Sequence, residues 1–221
     1  MAGEVIIVGA GGLGREALMV LREMNRCAYS PESRFNLLGF VADSPEKNVH
    51  SEPIIGTDEE VLKTLPRTVR FVVAIGNPLL RQQVANKYLS LGFESVSLIH
   101  PSVSISEYVH IGGGTIILPG AVFTTDIQIG RFNLINPAVS LSHDVETGEF
   151  VTIGPGAILC GGVKAEAEAE IGAGAVVLPR LTLGKGCMLG AGAVATRDLE
   201  AGKTYAGIPA RPMLGKLSGT P

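Results

Sequence analysis

No run of basic residues interrupts this chain, and its 18 lysines and arginines are outnumbered by 21 acids, for a net charge of −3. Neutralising nucleic-acid phosphates or an anionic membrane surface needs a concentrated positive face, so neither partner is expected. No apolar stretch approaches the roughly 18 residues of a membrane span. The N-terminus runs straight into the strand-like EVIIVGAG without the layout of a signal peptide, so a cytoplasmic location is expected. Cysteine is scarce: Cys27, Cys160 and Cys187 are odd in number and widely scattered, which neither frames disulfides nor supplies paired zinc ligands. They read as reduced packing residues. What is abundant is apolar: 46% of 221 residues, enough to bury a core in one or two domains.

Two textures share the chain and meet near SLIHPSVSIS. Over residues 1–100, strand and helix signals alternate: EVIIVGA, LGREALMVLREM, NLLGFVAD, TDEEVLKTL, RFVVAIG and NPLLRQQVANKYLSL, closed by Gly92. That alternation predicts a small Rossmann-like α/β domain with a parallel sheet. Thr57 and Glu60 form a capping-box pattern at the start of the short helix. Over residues 101–221 helix periodicity vanishes, and valine, isoleucine and glycine take over.

The second texture is a repeat of six. Every sixth residue from Ile105 to Ala195 is Ile, Leu, Val or Phe in thirteen of sixteen cases, the exceptions being Thr147, Ala165 and Ala195. Four residues after each comes a mostly small or β-branched residue such as Thr115, Ala121, Val139 or Ala157. One hexad makes one short strand and one corner, so three hexads close a triangular coil of eighteen residues, stacked at roughly 4.8 Å per coil. The expectation is an all-β parallel helix whose lattice holds phase to about residue 200.

In the front domain, Gly9, Gly11 and Gly14 form G-x-G-x-x-G between a strand and a helix, where a phosphate can approach backbone N–H groups. About a hundred residues suffice for one mononucleotide-binding half and not for two, so a single nucleotide is expected and not a dinucleotide. Asp43 ends the second strand; it either accepts from a ribose or base, or caps a turn. Asn77 and Arg81, in GNPLLR after the third strand, belong to the same sheet edge and are candidate substrate contacts.

Of four histidines, His143 stands out. It follows inward-facing Leu141 by two positions and adjoins Asp144, and a step of eighteen puts Gly161 beside it in the next coil. A base, a carboxylate and an open backbone donor are the parts expected for acyl transfer. Zinc needs three converging imidazoles; His110 and His143 are 33 residues apart, off any multiple of eighteen, and no third histidine lies in the coils, so no metal is expected.

The hexad texture, with the closing YAGIPARPM, resembles the hexapeptide acyltransferases. More narrowly, VGAGGLGREAL, GFVAD, AIGNPLLR, LIHPSV and LSHD resemble the bacterial nucleotide-sugar N-acetyltransferases and the related sialic-acid O-acetyltransferases. The resemblance implies a left-handed β-helix, a homotrimer, and acetyl transfer from acetyl-CoA to a UDP- or GDP-linked amino-dideoxy sugar, such as a 4-amino-4,6-dideoxy sugar. The alternative it leaves open is O-acetylation of a sialic-acid-type sugar. It implies Gly11, Gly12, Leu13 and Asp43 as nucleotide-sugar contacts, although relatives often show two acids where this chain has Ala42 and Asp43. His143 becomes the base, Asp144 its partner, and Asn136 either the holder of the sugar amine or a stacked corner residue. Thr152, Gly161, Ala173 and Ala191 become acetyl-CoA contacts, with the Gly161 N–H a candidate oxyanion donor. A nucleotidyltransferase would need a longer front domain with a basic loop, and a purely structural solenoid would leave the front domain and the His-Asp pair without a task.

Overall fold

The computed structural model describes residues 3–44 and 46–213; the expected tail past Met213 lies outside them. The chain builds a small α/β layer and a three-faced parallel β-helix. In the front layer, β1 (Gly3–Val8), β2 (Phe35–Val41), the hairpin strands β3 (Asn48–Val49) and β4 (Glu52–Gly56), and β5 (Arg70–Val73) form one sheet in the order β3-β4-β2-β1-β5. Only the β3-β4 pair is antiparallel. The helices are α1 (Gly12–Cys27), α2 (Asp58–Thr64), whose capping box of Thr57 and Glu60 is present, and α3 (Pro78–Ser90).

Helix α1 buries Gly14, Ala17, Leu18 and Leu21, one stripe at helical spacing. Gly9 and Gly14 are fixed by contact: a Cβ on Gly14 would collide with the Gly9 carbonyl oxygen, and one on Gly9, whose φ is +108°, would sit 2.6 Å from the Ala74 oxygen. Gly11 and Gly12 have no such neighbours; a Cβ at Gly12 meets only the Arg15 guanidinium, at 4.0 Å.

The β-helix begins at Leu98–Ile99, which pairs with Ile116–Ile117, two residues ahead of the boundary drawn from the sequence. Its register steps by eighteen, as in Leu134, Thr152, Glu170 and Met188, which lie side by side. From Gly114 to Gly192 every sixth residue has a left-handed backbone: half of these fourteen corners are glycine, and the others are Asp126, Phe132, Ala138, Asp144, Phe150, Glu168 and Arg180. Two details of the expected lattice differ. Ile105 is exposed while Val103 is buried, and the last coil is two residues short, with Leu183 opposite Leu199 and Met188 opposite Thr204. Thr147, an exception in the apolar column, is explained by Asn133, which is buried and donates to its hydroxyl at 2.6 Å.

The three outward faces are unlike one another. The first buries Leu98, Ile116 and Leu134 under α1 and its sheet. The second carries His110, Gln128, Glu146, Lys164 and Thr182, with Lys164 bridged to Glu146 at 3.1 Å. The third carries Val122, Ser140, Ile158, Val176 and Val194, of which Val122 is 55% exposed and Ile158 41%. Among the cysteines only Cys187 is a buried packing residue, its thiol pushed up to about 12 by burial; Cys27, expected to pack, is exposed at the end of α1.

Arg81 joins the two layers. Expected to meet substrate, it is instead 2% exposed, and all five of its N–H groups are occupied. Nε donates to the Phe132 carbonyl, Nη1 to those of Ile75 and Gly76, and Nη2 to the Phe150 carbonyl and the Thr152 hydroxyl, at 2.7–2.9 Å. Burial lowers its pKa to about 10, still far above neutrality, so a full charge is held on five oxygens. Beside it the rings of Phe132 and Phe150 stack 5.2 Å apart, and Phe71 stacks on both Tyr88 and Phe132. Arg81→Met should therefore orphan buried carbonyls from both layers and lower stability by roughly 3 kcal/mol, read by calorimetry as a melting point about 6–12 °C lower. A variant that melted like wild type would show that the strut is dispensable.

Candidate active site

His143 and Asp144 occupy the turn between the apolar face strand Ser140–Leu141 and the polar face strand Glu146–Thr147. Asp144 is a lattice corner with φ of +60°, and that left-handed turn swings its carboxylate back onto the preceding ring. Oδ2 lies 2.7 Å from Nδ1 of His143. A donating Nδ1–H leaves the Nε2 lone pair free to accept a proton. Both side chains are about two-thirds exposed, at 64% and 65%.

Gly161 lies directly under the imidazole. A Cβ there would stand 2.5 Å from Cε1 and 2.6 Å from Nε2 of His143. The neighbouring Gly162 N–H is held by the His143 carbonyl at 2.9 Å, whereas among the described residues the Gly161 N–H donates to no backbone carbonyl. A base, its carboxylate and an open N–H donor thus share one corner.

The other candidate residues gather elsewhere. A groove of about 820 Å³ between α1 and the β-helix is lined by Leu13, Asn77, Asn136, Thr152 and Ala191, together with the carboxylates Glu16 and Glu170. Asn136 lines the groove and donates Nδ2 to the Ile153 carbonyl at 2.8 Å, and no hydrogen bond among the described residues engages its side-chain oxygen. Asn77 caps α3 by accepting the Leu80 N–H, so its oxygen is already engaged. Thr152 accepts from Arg81 and donates to the Gly76 carbonyl at 3.3 Å. Asp43 opens into a separate pocket at the sheet edge with Gly9, Thr57, Glu59 and Lys87. Gly11 and Gly12 stand exposed at the start of α1.

One chain therefore does not bring all the candidates together. His143 and Gly161 lie on one edge of the apolar face; Asn136, Ala173 and Ala191 lie on its opposite edge. Glu170 was missed from the sequence because its position on the lattice marks it only as outward-facing. It lines the groove without an ion pair or a side-chain hydrogen bond among those described, and burial raises its pKa against the opposing pull of Arg81.

Residues 4–88 match the PglD N-terminal domain family. The chain is 36% identical over 121 residues, 54% of its length, to the GDP-perosamine N-acetyltransferase of Escherichia coli O157:H7. The match spans about half the length of the curated relatives, 53% and 50%. A crystal structure of a histidine-to-asparagine mutant of perosamine N-acetyltransferase from Caulobacter crescentus, in complex with CoA and GDP-perosamine, is 30% identical with a TM-score of 0.87 and covers 97% of this chain and 99% of that one. The acetyltransferase domain of PglB from Neisseria gonorrhoeae FA1090, in complex with acetyl coenzyme A, is 31% identical with a TM-score of 0.85, covering 96% and 100%. The coils are those of the left-handed β-helix of hexapeptide-repeat acyltransferases. Within that class the chain belongs to the nucleotide-sugar N-acetyltransferases.

Gly161→Ala tests the corner directly. Gly161 has no left-handed φ to protect, so the methyl should displace only the exposed ring above it. The His143 ring proton resonances should move while the melting point stays near wild type; unmoved resonances would mean that the ring does not rest on this glycine.

Proposed function

We propose that the chain transfers acetyl from acetyl-CoA to the amino group of a UDP- or GDP-linked amino-dideoxy sugar, working as a cytoplasmic homotrimer. The observation that carries this reading is the His143–Asp144 pair seated over Gly161 on a rigid frame. His143 Nε2 takes a proton from the sugar amine as the amine attacks the thioester carbonyl. The Gly161 N–H receives the developing oxyanion. Collapse of the tetrahedral intermediate expels coenzyme A, and the imidazolium returns its proton to the departing thiolate. Asp144 holds the tautomer that keeps Nε2 basic.

The free oxygen of Asn136 suits the amine as an acceptor, and the exposed turn at Gly11, Gly12 and Leu13 suits the diphosphate, with Asp43 at the nucleoside end. Thr152, Ala173 and Ala191 run along the corner that the cosubstrate would follow. Arg81 is removed from the substrate contacts, and Asn77 serves them through the shape of the α3 start.

Three-fold packing through the apolar third face would set the His143 edge of one copy beside the Asn136 edge of the next, which is why the reading takes a trimer. Nothing comparable would follow from packing the charged second face.

Thiol release from acetyl-CoA against a panel of UDP- and GDP-linked 4-amino sugars tests the activity. His143→Asn should lower kcat by roughly 10² to 10⁴ with the melting point little changed, since asparagine cannot accept a proton at neutral pH. Wild-type kcat in that variant at pH 7, with every sugar in the panel, would remove His143 as the base. Ile158→Asp, a charge on the apolar face, should yield folded monomers by light scattering that have lost activity; an active monomer would defeat the trimer.

A further inference from the structure

We propose that Glu170 is a further acetyl-CoA-binding residue, its carboxylate accepting an amide N–H of the pantetheine arm as the cosubstrate passes along the groove. The proposal rests on the acetyltransferase reading and adds to it a side-chain contact where the other cosubstrate contacts are largely backbone.

The placement follows from the register. Glu170 lies beside Thr152 in the preceding coil and Met188 in the next, and it precedes Ala173 by three residues on the same coil. It therefore faces the stretch between Thr152 and Ala191, along which the arm would run. Asn136 belongs to the coil of Leu134, two coils away, which is roughly 10 Å along the axis. A single pyranose ring whose amine sits at Asn136 does not span that gap, so Glu170 falls to the cosubstrate and not to the sugar.

Chemistry explains why a carboxylate is useful there. A β-helix wall offers few open acceptors, because each coil's carbonyls receive the N–H groups of the coil before it: Ala169 from Thr152, Cys187 from Glu170 and Leu189 from Gly172, at 2.7–3.0 Å. Apart from Thr152, whose hydroxyl is engaged by Arg81 and the Gly76 carbonyl, the side chains lining the groove beside Glu170 are apolar, with Ile171, Met188, Leu189 and Ala206. An amide N–H drawn into such a groove and left without an acceptor loses its hydrogen bond to water. Among the described residues Glu170 has no side-chain partner and lines the groove; burial raises its pKa and Arg81 opposes that shift, and its carbonyl-type oxygen accepts a hydrogen bond in either protonation state. A bond from a neutral donor to a charged acceptor is among the stronger ones available.

The test compares two ligands on the purified protein by calorimetry: coenzyme A, which has the arm, and adenosine 3′,5′-bisphosphate, which lacks it. Glu170→Leu should weaken coenzyme A roughly ten- to hundredfold and leave the bisphosphate within about twofold; Glu170→Gln, which keeps a neutral acceptor, should fall between. Wild-type affinity for coenzyme A in Glu170→Leu overturns the proposal. Equal weakening of both ligands, or a lowered melting point in both variants, also overturns it, because Glu170 would then be supporting the wall. A wild-type protein that bound no coenzyme A at all would instead overturn the acetyltransferase reading on which the proposal rests.

Discussion

A chain that turns a corner every six residues must put one residue per corner into the left-handed backbone region, where a side chain costs about 1 kcal/mol and glycine costs least. Fourteen successive corners here obey that constraint, and the seven that are not glycine include several with structural or chemical work. Asp144 uses the left-handed turn to bring its carboxylate onto His143. Phe132 and Phe150 use it to project stacked rings toward the front domain, and Glu168 accepts from Gln82 of α3 at 3.1 Å. The same geometric demand that closes the coil thus sets the His143–Asp144 contact and builds the domain junction.

That junction depends on Arg81, whose guanidinium is satisfied by oxygens from both layers. Burying an unpaired charge would be prohibitive, whereas a fully bonded one fixes distance and angle together. Its partner Thr152 lies in the groove wall, so the contact that locks the domains also shapes the groove. Groups on the start of α1 and groups on the coils stay in register only if the two layers do not slide.

The faces of the prism divide the remaining tasks. One is covered by the chain's own front domain, one is charged and suits water, and one is apolar with the two halves of the candidate site on its opposite edges. Exposure of His143 in a single chain follows from this division. An exposed imidazole is a weak electrostatic device; covered by a neighbouring copy it would act in a drier and more favourable medium.

Much of this was written in the order of residues. A period of six fixes the coil, a step of eighteen puts Gly161 beneath His143, and alternating strand and helix signals define the front sheet, because backbone periodicity converts sequence separation directly into distance. Gly9, Gly11 and Gly14 were legible as one motif, but only packing separated the glycines that serve close contact, Gly9 and Gly14, from Gly11 and Gly12, which face open space. Arg81 could not be read correctly: an arginine in a loop-to-helix segment carries no mark of which five oxygens will surround it. Glu170 and the contrast among the three faces were likewise hidden, since the lattice says which side chains point outward and nothing of what lies outside. Local periodicity determined the path of the backbone, and only tertiary contact, which depends on residues distant in sequence, decided which outward side chains became strut, groove wall or exposed face.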